Sequence, residues 1–235
     1  MNASVWPMPP RLPVLTREQR LREVFARGAI DLVLDVGANV GQFARELRTF
    51  YSDEVISFEP AAQAFAQLQR AARGQPRWQV LPFALGRTRG EAVLHTCASS
   101  DFSSLLRTND YCGRRFGAEA TSAAQETVAL HRLDEVLAMT GVNWRNRRIF
   151  LKMDTQGFDL EVLEGLGDSL EAVVALQSEV SLIPIYQGMP HWTASIARYE
   201  AAGFGVVDLY PVTREGERVI EYDCLMTRIA PRTPA

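Results

Sequence analysis

The residues able to do chemistry in this 235-residue sequence stand where apolar runs end in an acid or a glycine. Asp35-Val-Gly-Ala-Asn-Val-Gly41 is the first such place. Gly37 and Gly41 allow a sharp turn and let backbone N–H groups approach a ligand, since a Cβ would obstruct both. Phe58-Glu59-Pro60 is the second, and a carboxylate there, eighteen residues after Gly41, is suited to accept both hydroxyls of a ribose. In Lys152-Met-Asp-Thr-Gln-Gly157, Asp154 orients an acceptor or takes its proton, or else caps the helix after Gly157. Lys152, set inside an apolar run, must pair or reach solvent, with Glu161 or Glu179 as the expected partner. Glu179 ends the next apolar run and His191 follows in a loop, where an imidazole is a natural general base near neutral pH. Asp154, Glu179 and His191 would also suit a hard cation, but their spacing does not impose one and no metal is assigned. His95 and His131 read as surface or loop residues.

The ligand at the glycine turn is decided by its other residues. A pyrophosphate cradle asks for glycine where Asn39 stands, and the last glycine, Gly41, falls one residue early. An acid at Asp35 would repel a pyrophosphate and attract the ammonium of S-adenosylmethionine. An NAD-dependent oxidoreductase is therefore the weaker alternative. A module that binds the cofactor without turnover is another, against which the intact Asp154–Gly157 segment speaks.

The positioning elements follow from periodicity. Thr16 with Gln19 reads as a capping box for a helix ending at Gly28. Buried strands are expected at 32–36, 55–58 and 149–153, the first a short apolar run covered on both faces, and further strands at 78–83, 172–179, 205–209 and 222–228. Helices with apolar residues on one face are expected after Gly41, after Pro60, at 133–139, around Leu160–Leu166 and at 193–202. The alternation predicts an α/β doubly wound fold, with residues 1–29 as an N-terminal segment and helix. A single domain from 30 to 235 is expected, with a β-rich insertion near 86–130 containing antiparallel strands near 91–97 and 125–130.

A net charge of −3 argues against a broad nucleic-acid surface, and the tight basic cluster Arg145, Arg147 and Arg148 reads as a turn before a strand. Met1–Pro13 has four prolines and no apolar run, so neither a leader peptide nor a membrane span is expected and a cytoplasmic location follows by default. The three cysteines, Cys97, Cys112 and Cys224, form neither a disulfide framework nor a zinc pattern.

The motifs at 35–43, Phe-Glu-Pro at 58–60, Ala-Leu-Gly at 84–86, Phe-Leu-Lys-Met-Asp-Thr-Gln-Gly at 150–157 and Glu161-Val-Leu-Glu-Gly165 together resemble the FkbM family of methyltransferases. The resemblance runs from about residue 30 to 210, with Asp159 standing where that family more often has glutamate. It implies a class I, Rossmann-like seven-stranded sheet whose last strand is antiparallel, and O-methylation of a hydroxyl, often on a sugar of a natural product, lipid or polysaccharide. Ser103-Ser104-Leu105 is similar to a Ser-Ser segment of that family and touches cofactor or acceptor, or is a plain polar turn. Motif and resemblance together assign S-adenosylmethionine to Asp35, Gly37, Ala38, Asn39, Gly41, Gln42, Phe43, Glu59, Pro60, Ala84, Ser104 and Asp154. Catalysis is assigned to Asp154, Glu179 and His191. The expected acceptor is a small molecule or glycoconjugate, with Tyr186, Met189 and Trp192 forming either its apolar wall or part of the core.

Overall fold

The computed structural model describes residues 14–229, so the reading of Met1–Pro13 falls outside the described residues. Helix α1 (Arg17–Gly28) starts at the Thr16–Gln19 capping box, with both reciprocal hydrogen bonds formed. Then follow β1 (Leu32–Val36), α2 (Gln42–Leu47), β2 (Glu54–Phe58), α3 (Ala62–Ala72), β3 (Trp78–Leu81) and β4 (Ala84–Leu85). The middle of the chain supplies β5 (Gly90–Cys97), α4 (Asp110–Phe116), β6 (Ser122–His131), α5 (Leu133–Met139) and β7 (Ile149–Met153). It closes with α6 (Asp159–Glu164), β8 (Val173–Ser181), α7 (Trp192–Ala201), β9 (Phe204–Glu215) and β10 (Arg218–Arg228).

Seven strands form one sheet in the order β3-β2-β1-β7-β8-β10-β9, and β10 runs antiparallel to both its neighbours. The expected mostly parallel sheet with its last strand reversed is thus present. Every residue of β1 and β7 is buried, as runs covered on both faces require. One face sets Val33, Val55, Phe150 and Ala175 against Phe25, Phe43, Ala44 and Leu47. The other sets Leu34, Ile56, Leu151 and Leu176 against Leu137, Val162, Leu163 and Tyr199.

The side-chain period of two then fixes where the polar residues go. Two positions beyond Val33, Val55, Phe150 and Ala175 stand Asp35, Ser57, Lys152 and Gln177, and the strand register puts Lys152 directly beside both Asp35 and Gln177. Two positions further lie Gly37, Glu59, Asp154 and Glu179. One face of the sheet therefore turns from apolar to charged over its last two rows, at the carboxyl ends of the parallel strands, where ligands of such folds bind.

The departures from expectation are local. The strand at 78–83 stops at Leu81, and Ala84–Leu85 leaves it to pair with β6 in a second sheet ordered β4-β6-β5. The antiparallel pair β5/β6 was expected; helix α4 between them was not. β9 and β10 are longer than the apolar runs indicated and form a hairpin turning at Gly216, with φ of 58°. Pro211 sits within β9 because that strand is the sheet edge, where a missing N–H costs no ladder bond. Arg147 pairs with Asp31 and Glu54, and Arg145 covers the Trp144 ring, so two members of the basic cluster are engaged within the protein. All three cysteines are free thiols. Among the described residues, no helix is long and apolar enough to cross a membrane.

Candidate active site

At the end of β1 the chain passes through three left-handed residues, Gly37, Asn39 and Gly41, at φ of 75°, 47° and 87°. Asparagine is among the side chains that tolerate this region best. The reason for the glycines differs from the sequence argument. A Cβ on Gly37 would lie 2.0 Å from the Asp154 carbonyl oxygen, and one on Gly41 would meet Leu68 and Trp78 at 3.0–3.1 Å. Both Cβ positions are taken by neighbouring protein. The turn's N–H groups are also already engaged: Gly37 and Ala38 donate to the Phe58 carbonyl at 3.0 and 2.9 Å, Gly41 donates to Ala38, and Asn39 donates to Glu59 Oε2 at 2.8 Å. Four of the turn's amides are thus spent on neighbouring protein before the uncapped start of α2 at Gln42. Two buried acceptors there lack a hydrogen-bond donor: Asp35 Oδ1, which faces Lys152, and Asn39 Oδ1, on a residue of the cavity wall, which fits a ligand bringing a donor.

Glu59 is 7% exposed. Its Oε1 accepts from the Ala61 N–H at 2.8 Å, so each oxygen is pinned by one backbone amide and keeps a lone pair. Burial pushes its carboxyl up to about 7 against the pull of those two amides. Glu59 borders a cavity of about 490 Å³, whose wall also includes Gly37, Asn39, Pro60, Ala84, Ser104, Asp154 and Glu179. Phe83, Leu85, Leu94, Leu105 and Phe158 give this end an apolar lining. The segment from Ser99 to Leu105 forms one side, tied to the turn by Asn39 Nδ2 donating to Asp101 at 2.7 Å and to the β7 end by Ser104 Oγ donating to the Gln156 carbonyl at 2.7 Å.

Asp35 does not reach the cavity. It is fully buried beneath it, accepting from Ser57 Oγ at 3.1 Å, with Lys152 Nζ 3.7 Å from its other oxygen. Burial raises its carboxyl pKa, and Lys152 opposes that rise. Lys152 pairs with Asp154 at 3.1 Å and Asp35, not with Glu161 or Glu179, because the register puts β1 beside it while Glu161 is drawn to Arg87. Burial works against the Lys152 charge, but the two carboxylates outweigh it and hold the ammonium above its ordinary range. Asp154 does not cap α6: its oxygens take Lys152 and Gln156, and Asp159 receives the Thr155 N–H at 2.9 Å instead. Asp159 also accepts from Ser178, which bonds Tyr199, so it is a buried structural acid.

Gln156, at φ of 55°, ties together the acids at the ends of β7 and β8. Its Nε2 donates to both Asp154 and Glu179 at 2.9 Å, and its Oε1 accepts from the buried Tyr186 hydroxyl at 2.8 Å. His191 is elsewhere: it is exposed at the start of α7, outside the cavity wall, and its ring bonds Thr193. The set Asp154, Glu179 and His191 is therefore not assembled, and no group of three or more His, Cys, Asp and Glu able to hold a metal ion occurs among the described residues. Ala38, Gly41, Gln42 and Phe43 shape the turn and the core behind it, outside the cavity wall. Tyr186 and Met189 are buried in a small cluster below α4. Sequence reasoning missed Gln156, Phe158, Thr213 and Glu221, all of which line the cavity. Only the Gln-Gly pair carried a local signal, since consecutive left-handed residues favour such a dipeptide.

An rRNA methylase from Streptococcus thermophilus is similar at 11% identity and a TM-score of 0.48, covering 93% of this chain and 100% of that one. A magnesium protoporphyrin IX methyltransferase from Synechocystis PCC 6803, solved with bound S-adenosylmethionine, is similar at 10% identity and 0.44, covering 93% and 87%. No curated protein matches the sequence. The profile described as the methyltransferase FkbM domain matches residues 35–204. With most of its length matched, from the glycine turn to the start of β9, the chain belongs to the FkbM family of methyltransferases.

Proposed function

We propose that the protein transfers a methyl group from S-adenosylmethionine to a hydroxyl of a small, sugar-bearing acceptor. The observation that carries this reading is Glu59: a buried carboxylate fixed by two backbone amides beside a turn whose own amides are engaged. That arrangement suits a ribose diol, and a buried carboxylate beside the turn disfavours a diphosphate. Bound there, the cofactor would supply a methyl group already activated on a sulfonium. Glu59 accepts the ribose hydroxyls, Pro60, Phe83, Ala84, Leu85 and Phe158 form the apolar slot for the base, and Asn39 Oδ1 faces the turn. Asp154, whose side chain is 36% exposed, replaces the buried Asp35 as the group able to meet the cofactor's ammonium, while Asp35 keeps Lys152 in place. Gln156 and Glu179 orient the acceptor, and exclusion of water by the 99–105 segment leaves positioning to carry most of the rate. Net charge and an acid-rich cavity favour a small acceptor over nucleic acid.

Calorimetric titration with S-adenosylmethionine and with NADH tests the cofactor; binding of NADH alone refutes the reading. Incubation with methyl-labelled cofactor and a panel of glycosides tests the reaction, and label recovered on nitrogen or carbon in place of oxygen would refute O-methylation.

A further inference from the structure

The charged face of the sheet holds more acid than base. Asp154 and Asp35 share Lys152, and Asp223 is paired with Arg17 at 3.1 Å. Glu179 and Glu221 have no cationic partner among the described residues. Glu221 is 4% exposed and takes one hydroxyl, from Ser181 at 3.0 Å, and Glu179 takes only the Gln156 amide. Both line the cavity, next to Thr213. The antiparallel register sets Asp223 opposite Glu179 and Glu221 opposite Ser181, so all three acids share one sheet face and the two unpaired ones are diagonal neighbours. A buried charge persists only when paired. Burial and the neighbouring Glu221 accordingly lift Glu179 well above the ordinary carboxylate range, and burial with Asp154 and Asp223 nearby pushes Glu221 up to about 7 against the pull of the Ser181 hydroxyl.

The missing positive charge does not come from the cofactor in the placement proposed above. Glu59 ends β2, and Glu179 and Glu221 lie three and four strands away, about 14 and 19 Å at the usual interstrand spacing. The sulfonium is one methylene from the ribose, and the amino-acid tail beyond it is short; it extends to Asp154 on the intervening β7 and stops there.

We infer that Glu179 and Glu221 form a cation subsite, and that the acceptor is an amine-bearing compound, such as an amino sugar, whose ammonium docks between them. The inference rests on the methyltransferase reading of the cavity and narrows its acceptor class. Gln156 couples the subsite to Asp154, so an ammonium held there fixes the acceptor relative to the cofactor's tail.

The test titrates the full chain, with and without saturating S-adenosylhomocysteine, with matched probes: methyl glucosaminide, its N-acetyl derivative and methyl glucoside, and ethanolamine against ethylene glycol. The amines are expected to bind at least about tenfold more tightly than their neutral partners, as a charge-assisted contact implies. Glu221→Gln should erase that preference; Glu179→Gln, on a different strand, repeats the test should the first variant not fold. Equal binding of amines and neutral probes, or binding of neither, overturns the inference and leaves the two acids as a proton-sharing pair. Failure of S-adenosylhomocysteine to bind would instead count against the cofactor reading, and the cofactor-free titration still reads the subsite.

Discussion

The sharpest perturbation is Glu59→Gln, read as cofactor affinity against pH. Ribose hydroxyls donate to a carboxylate but not equally to a carboxylic acid, so cofactor binding is linked to ionisation of Glu59. With its carboxyl pushed up to about 7 by burial, about nine tenths of Glu59 is ionised at pH 8 and about one tenth at pH 6. The dissociation constant for S-adenosylhomocysteine is therefore expected to rise about tenfold between those pH values. Glutamine removes the charge and one of the two acceptors, which at about 1.5–3 kcal/mol for a charge-assisted bond weakens binding by about 10- to 100-fold at pH 8 and flattens the pH profile. Unfolding does not confuse the result. An acid with a raised pKa contributes stability that is present below its unfolded value of 4.5 and lost as pH rises through about 7, so glutamine escapes a penalty of about 3 kcal/mol at pH 8. That gain roughly offsets the backbone amide left facing the new NH2 group, and Tm should shift by only a few degrees. Isothermal titration from pH 6 to 8 on both proteins decides it. A flat profile in the parent protein, with the variant within threefold, would refute the ribose assignment.

Three further outcomes follow from the same contacts. Gly37→Ala places a Cβ 2.0 Å from the Asp154 carbonyl at a φ of 75°, so urea unfolding should show a loss of about 3 kcal/mol or more; a loss under about 1 kcal/mol would mean the turn relaxes freely. Lys152→Met leaves Asp35 fully buried without a cation and should cost about 3–5 kcal/mol, most of it recovered when Asp35→Asn is added, as a double-mutant cycle in denaturant will show. His191→Ala should leave turnover on the acceptor within about twofold, because the ring is exposed and bonds only Thr193; a loss beyond about thirtyfold would restore it as the base.

How far the sequence could be read follows from what each residue answers to. β1 and β7 were legible because five consecutive buried positions leave an apolar run no other reading, and the α1 cap because its two hydrogen bonds are local. The Glu59 end of the cavity was legible, because the place of that acid after β2 is fixed by the chain itself. The glycines' turn was legible, but their close neighbours were not, because these come from Asp154, Leu68 and Trp78, which no local pattern joins to the turn. Lys152 was recognised as needing a partner, but the partner depends on which strand lies beside β7, a matter of sheet order and not of sequence distance. Glu221 was invisible because it lies one residue before the strand expected at 222–228, and only antiparallel pairing sets it diagonal to Glu179. His191 illustrates the reverse error: chemical aptitude and a loop position do not aim a side chain.

The row Ser57–Asp35–Lys152–Asp154–Gln156–Glu179 also means that the two halves of the site are not independent. Lys152 neutralises an acid beneath the cofactor end and holds the acid that faces the cavity, while Gln156 passes the constraint on to Glu179. Asp154→Asn is the substitution that exposes this, because both oxygens of Asp154 accept from donors and an amide has only one acceptor. Whichever way the asparagine turns, its NH2 meets either Lys152 or Gln156. If Lys152 keeps the oxygen, Gln156 is released and acceptor orientation is lost; if Gln156 keeps it, an ammonium with one remaining partner faces the cofactor's tail. Either outcome should lower methyl transfer by more than about a hundredfold, with S-adenosylhomocysteine affinity falling by only about tenfold, since Glu59 still holds the ribose. Equal losses in both would make Asp154 a cofactor ligand alone, and retention of transfer within about fivefold would show that the row does not couple the two halves.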